Sequence, residues 1–339
     1  MKHRTELLAL FTVGLILIGL PVAALGYQHG LRPATTSTRV IDIDARIPEN
    51  GGFGPDAVRV TAGEPVTLRF ASMDVTHGIA IGPGLGVDLG HVDPGTVKEA
   101  TLTFDEPGTY TYYCTTWCSA DHWRMRGTIQ VIDPDNPGLV VPAPPDPVIE
   151  KLIEEGVDID AVHGVDQEHR AMLAFERQPS AGQGTALADT LVILMEMTDR
   201  EWRRSHTPMQ AVERLAAHNP RSDEAVLRDV AAYLWTQDAS LETLLQAEAL
   251  YNQSCAACHG QYGSGDGPAA DTTAETPVAF ADAAYMFEMR SDVLYAKIRR
   301  GGMGTGMPNF GTLFTQEETW ALVEYLWMLA VSSTANVPE

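Results

Sequence analysis

Within twelve residues, the segment Cys114-Thr-Thr-Trp-Cys118-Ser-Ala-Asp-His122-Trp-Arg-Met125 offers two thiols, an imidazole and a thioether. Such soft donors select copper, and a cysteine, a histidine and a weak methionine on a sandwich loop make a blue-copper arrangement. The second cysteine changes that chemistry. Four residues apart on one loop, Cys114 and Cys118 can bridge a pair of copper ions, so that an added electron is shared over two metals. Sharing limits the change of geometry on reduction, which favours fast electron transfer over substrate activation. A second imidazole must come from elsewhere, and His77 of Asp74-Val-Thr-His77 stands at an expected strand start. A zinc site from His77, Cys114, Cys118 and His122 uses the same side chains but leaves Met125 without a role. A Cys114–Cys118 disulfide leaves all the other donors unexplained.

A second constellation lies 137 residues further on. Cys255-Ala-Ala-Cys258-His259 is the attachment signature of haem c, with two thioether bonds to the porphyrin and the histidine as proximal iron ligand. A redox dithiol would not need His259. The chain has only these four cysteines, so using both pairs as ligands and attachment points leaves none for a structural bridge.

These groups need rigid elements to hold them. From 39 to 133 the chain reads as an all-β sandwich: Val66, Leu68 and Phe70 alternate with polar residues, and Tyr110 and Tyr112 alternate with threonines before Cys114. Glu106-Pro-Gly108 and similar turn signals separate the runs. Tyr112 and Tyr113 read as core and rim of that sandwich, His91 as exposed, and Trp117 and Trp123 as packing over the metal loop. A proline-rich linker follows over 134–149. Beyond it the pattern is helical, with segments 148–155, 186–202, 222–236, 241–253, 291–300 and 315–330. Thr315 with Glu318 reads as a capping box, and Ser222 and Ser291 as N-caps. Tyr233-Leu-Trp235 and Tyr325-Leu-Trp327 form a faint repeat, so 150–238 reads either as a haem-less copy of the domain at 239–332 or as an unrelated helical segment. The repeat also pairs His163 with Met209 as a remote second haem site.

At the start, Lys2, His3 and Arg4 precede an uncharged run over 7–26, long enough at 1.5 Å per residue to cross the roughly 30 Å of a bilayer core. Residues 1–30 are therefore expected to be one transmembrane anchor with the remainder outside, or else a cleaved signal peptide. The expected fold class is thus multidomain: a transmembrane helix, an all-β sandwich, then an all-α segment. The formal net charge of −22 argues against nucleic-acid binding and suits docking of a basic protein.

Asp-Val-x-His followed by Cys-x3-Cys-x3-His-x2-Met resembles the dinuclear CuA domain of cytochrome c oxidase subunit II, over about residues 40–133. The resemblance implies that one copper takes His77 and the other His122, that Cys114 and Cys118 bridge, that Met125 is a weak axial ligand, and that the carbonyl of Thr116 lies opposite. Common oxidases carry a glutamate at that last position, so Thr116 puts their additional metal in doubt. Residues 241–331 are similar to a class I cytochrome c, which implies one covalently bound haem c and makes Met307, before Pro308, its axial methionine, with Met303 as competitor. Such a ligand raises the haem potential.

Together the resemblances imply subunit II of a haem–copper terminal oxidase, similar to the caa type, on a bacterial or archaeal cell membrane with its domains on the periplasmic or extracellular side. Electrons would pass from a donor cytochrome c to the haem, to dinuclear copper, and on to subunit I for oxygen reduction. A nitric oxide reductase subunit and a free-standing exported carrier remain open alternatives. The expected partners are subunit I, a cytochrome c or other donor, and the lipid bilayer.

Overall fold

The computed structural model describes residues 18–22, 38–119, 121–138, 145–159, 175–302 and 307–331. Nine strands form a two-sheet sandwich: β1 (Arg39–Ala45), β2 (Phe53–Gly54), β3 (Ala57–Thr61), β4 (Pro65–Ser72), β5 (His77–Gly82), β6 (Val87–Val92), β7 (Val97–Thr103), β8 (Gly108–Cys114) and β9 (Arg126–Ile132). One sheet has the order β2-β1-β4-β7 and the other β3-β9-β8-β5-β6. The alternation read from the sequence is what closes them. Leu68 and Phe70 of β4 are fully buried with Ile43 of β1, and they face Ile79, Tyr112 and Ile129 of the second sheet. Phe53, Phe70 and Tyr112 meet edge-on at centroid distances of 5.0 to 6.2 Å, the geometry that the ring quadrupoles favour.

The helices are α1 (Pro147–Glu154), α2 (Ala181–Leu187), α3 (Met195–Thr198), α4 (Arg200–Ser205), α5 (Pro208–His218), α6 (Glu224–Thr236), α7 (Leu241–Ser254), α8 (Ala256–His259), α9 (Ala283–Phe287), α10 (Ser291–Arg300) and α11 (Gln316–Val331). Buried residues of 152–235 and of 251–331 form one continuous apolar cluster. Trp235 and Trp327, the two ends of the faint sequence repeat, pack edge-to-face at 6.3 Å, and Trp327 Nε1 donates to Ser291 Oγ. Arg204 lies 3.7 Å over the Trp320 ring and Arg200 pairs with Glu324, tying α4 to α11.

Helix ends follow local chemistry. Thr315 and Glu318 do form the reciprocal cap, with Glu318 N donating to Thr315 Oγ1 and Thr315 N to Glu318 Oε2. The single helix expected over 186–202 is instead broken. Asp199 in extended conformation caps a new helix by accepting from Glu201 N, and Val192 and Ile193 before it are β-branched. Asp223 and Arg290, rather than Ser222 and Ser291, occupy the N-cap positions.

The transmembrane anchor in the expected fold class requires correction, and with it the single-pass placement in a membrane and the bilayer as partner. Among the described residues, no helix is long and apolar enough to cross a membrane. Of the run 7–26 only residues 18–22 are described. The rest of that run lies outside the described residues, as do Met303, His163 and His169.

Candidate copper and haem sites

Two adjacent strands aim the first site. Ile79 of β5 pairs with Cys114 of β8, so His77 at the start of β5 lies beside the end of β8. The loop after β8 is held back onto β5 by Thr115 N donating to Gly78 O, and it returns to β9 where Cys114 N donates to Met125 O. Gly78 allows this close approach: a Cβ there would lie 2.2 Å from Thr115 Oγ1 and 2.6 Å from Thr116 Oγ1.

The donors cluster. His77 Nδ1 is 3.9 Å from Cys114 Sγ, which is also 3.2 Å from the Thr116 carbonyl oxygen. Cys118 Sγ is 3.6 Å from His122 Nδ1 and 3.8 Å from Met125 Sδ. The ligand atoms of His77, Cys114 and Cys118 lie within 4.8 Å of one another, and His122 falls outside that group. A single tetrahedral zinc would need all four donors within roughly 4 Å of each other, given bonds of about 2.0 to 2.3 Å. Two thiols with a thioether and imidazoles beside them suit soft metal ions better.

The ring of His77 is fully buried, and its Nε2 donates to Asp74 Oδ1 at 2.9 Å, which leaves Nδ1 for a metal. Asp74 also accepts from Ile47 N and Val75 N. Those bonds outweigh its partial burial and hold its carboxyl below the usual range. Cys118 and Cys114 share protons unequally. A hydrogen bond from Cys118 lowers the Cys114 pKa, whereas Cys114 and burial push Cys118 up to about 11. Metal binding here must therefore displace a proton from Cys118.

Among the described residues, one large cavity contains the second set. It holds about 1490 Å³ of free space, solvent included, and Cys255, Cys258, His259 and Met307 all line it. His259 Nδ1 donates to Val278 O at 2.9 Å and its ring stacks on Phe280, so Nε2 keeps its lone pair. Burial lowers the pKa of His259, so the imidazole is neutral and able to ligate. Burial, then the charge of Cys258, pushes Cys255 up to about 12, and burial also raises Cys258. A redox dithiol needs a depressed thiol pKa, and this pair has the opposite. With apolar walls from Ile298, Leu322 and Leu326, the cavity fits a large flat apolar group held at two thiols and one imidazole.

The same cavity is walled by the sandwich. Cys114, His122 and Met125 line it too, with Tyr113 and Arg126. Gly82 of β5 sits so close that a Cβ would be 2.5 Å from the Leu313 carbonyl oxygen. Burial pushes Tyr113 up to about 12 and Arg126 down to about 10.

The structure thus brings together His77, Cys114, Thr116, Cys118, His122 and Met125 at one site, and Cys255, Cys258, His259 and Met307 around one cavity. Trp117 is 44% exposed with its ring 6.0 Å from His122, so it lies over the loop only in part. His91 is exposed. Sequence reasoning gave no role to Asp74, Val278 and Arg126, and read Tyr113 only as rim of the sandwich. Only Asp74 carried a signal, three residues before His77 in the same motif.

The profile of the family described as "Cytochrome C oxidase, cbb3-type, subunit III" matches residues 242–326. Over 84 residues the chain is 30% identical to the nitrous-oxide reductase of Stutzerimonas stutzeri, a match covering 23% of this chain and 13% of that protein. The chain therefore spans a small part of that relative's length. A heme-copper terminal oxidase dimer contains a chain 24% identical, with 39% of this chain and 99% of that chain covered at a TM-score of 0.24. The periplasmic domain of subunit II of cytochrome oxidase from Bradyrhizobium japonicum is 18% identical, covering 29% and 86% respectively, also at 0.24. The chain joins a two-sheet β-sandwich with a cluster of metal-ligating side chains to a helical region matched over 242–326 by that cytochrome oxidase family.

Proposed function

We propose that this chain is the electron-input subunit of a haem–copper terminal oxidase, holding a covalent haem c and a dinuclear copper centre and serving a partner subunit that reduces oxygen. The observation that carries the reading is the shared cavity: residues of both proposed sites line it, so the two cofactors would be neighbours inside one molecule. When bound, haem and copper supply reversible one-electron chemistry.

The chain's own residues supply position. Cys255 and Cys258 would fix the porphyrin, His259 would present Nε2 to the iron, and Met307 would complete the axial pair. Val278 O sets the tautomer of His259. On the copper side, Cys114 and Cys118 would hold the metal together with His77, the Thr116 carbonyl, His122 and Met125. Two thiols among the donors support two metals. Asp74 holds the His77 ring, and Gly78 lets the loop close against β5. In this reading, chemistry on oxygen belongs to another chain. The net charge of −22 suits a basic donor cytochrome.

A second reading rests on the match to nitrous-oxide reductase, which points to nitrogen-oxide respiration as the sink for the same electrons. To separate the readings, the chain is isolated with its native partners and given reduced cytochrome c, and oxygen and nitrogen-oxide consumption are followed separately. Rapid oxygen uptake is expected. Nitrogen-oxide uptake without oxygen uptake would move the chain to a reductase, and isolation of the chain alone with neither activity would make it a carrier.

A further inference from the structure

We propose that Arg126, a residue of the sandwich, belongs to the haem site: it pins the Met307 loop and fixes the distance between the two redox centres. The inference rests on the functional reading above.

Arg126 is the first residue of β9 and directly follows Met125, whose sulfur faces Cys118. Its side chain leaves the sandwich. Nη1 donates to the carbonyl oxygen of Asn309 at 2.6 Å, across 183 residues of sequence, and the guanidinium stands 5.7 Å over the ring of Phe310. Asn309 and Phe310 are the second and third residues after Met307. The far side of that loop is held by Gly302 N donating to the Met307 carbonyl. One side chain therefore connects the residue after one thioether to the loop that carries the other.

The local packing makes this a junction and not a surface contact. Gly82 meets Leu313 without room for a methyl group, and Tyr113 packs against the helical core. Closing such a gap with an apolar residue avoids the cost of desolvating a cation. An arginine does more at this place. Its planar fork aligns a backbone carbonyl, and its fixed positive charge beside both centres favours their reduced forms. Because Met125 and Arg126 are successive residues, a shift in either loop is felt by the other.

The test uses the full chain loaded with copper and haem, with Arg126→Gln and Arg126→Lys. The readouts are the haem reduction potential, the methionine-to-iron absorption band, and the rate of electron exchange from haem to copper after flash reduction. Arg126→Gln is expected to lower the potential, weaken the band and slow exchange about tenfold, the factor that loss of one charge-assisted bond brings to the closed-to-open ratio of a contact. Arg126→Lys should recover part of the potential but less of the band, because it restores charge and not the fork. Wild-type potential, band and rate in Arg126→Gln would overturn the proposal. If that variant does not fold, Gly82→Ala carries the test by pushing β5 off Leu313: slower exchange with both cofactor spectra intact supports the junction, and an unchanged rate overturns it. Failure of the wild-type chain to bind haem or copper sinks the functional reading instead.

Discussion

Removing the carboxylate of Asp74 should weaken copper binding without removing a single ligand. His77 is 0% exposed, and its Nε2 donates to Asp74 Oδ1 at 2.9 Å. That bond keeps the proton on Nε2 and turns Nδ1 toward Cys114, 3.9 Å away. The other carboxylate oxygen accepts from Ile47 N at 2.9 Å, so the same side chain also anchors the segment before β2. Asp74→Asn keeps the shape and loses the charge. The loss of a partner of this kind costs about tenfold to 100-fold in metal affinity. Asp74→Asn should sit near the lower figure. Asp74→Ala should sit near the upper, about 2.7 kcal/mol, since it also leaves a buried N–H of His77 unpartnered. The assay is competition for Cu(I) against a chromophoric chelator at constant pH, with thermal unfolding of the metal-free variants run alongside. Wild-type affinity in Asp74→Ala, with the fold intact, would refute the reasoning.

Other substitutions probe the scaffold. Gly78→Ala places a methyl against Thr115 and Thr116, an overpacking of about 1 to 3 kcal/mol that should weaken copper by about fivefold or more, and adding Thr115→Ala should restore part of it in the same competition assay. Thr315→Ala removes one arm of the cap on α11, whose Leu322 and Leu326 wall the haem cavity, and should cost about 1 kcal/mol in denaturant unfolding. The hydrogen bond from Arg290 holds Glu155 below the ordinary carboxylate range, so its contribution is complete above about pH 4.3 and is lost as pH falls through the folded value. Glu155→Gln should therefore lower stability at neutral pH by a few tenths of a kcal/mol, for an ion pair this exposed, and the difference from wild type should vanish in acid unfolding series.

The parts of this architecture that were legible in the sequence are local ones. Period-two alternation in Val66-Thr-Leu68-Arg-Phe70 is a direct consequence of one strand face meeting a core, and it placed β4 correctly. The capping box at Thr315 needs only its own four residues. The expected 186–202 helix failed because apolar spacing there reflects several short helices packing on one core, and Asp199 restarts the chain. The N-terminal run was read from hydropathy alone, and nothing described in the structure spans a membrane. The junction was invisible for a different reason. Arg126 and Asn309, like Gly82 and Leu313, are far apart in sequence, and no short-range pattern records which side chain will cross between domains. The candidate donors were singled out by residue type and spacing alone. That His77 at the head of β5 stands beside Cys114 at the end of β8 came from the register of those two strands.

The central claim is that Cys114 and Cys118 hold two copper ions as one electronic unit. The most direct measurement is electron paramagnetic resonance of the oxidised, copper-loaded chain, with copper counted per haem on the same sample. The expected result is two coppers per haem and the hyperfine pattern of one unpaired electron shared equally by two copper nuclei, which collapses in Cys118→Ser. One copper per haem with the pattern of a single nucleus, unchanged in Cys118→Ser, would contradict it.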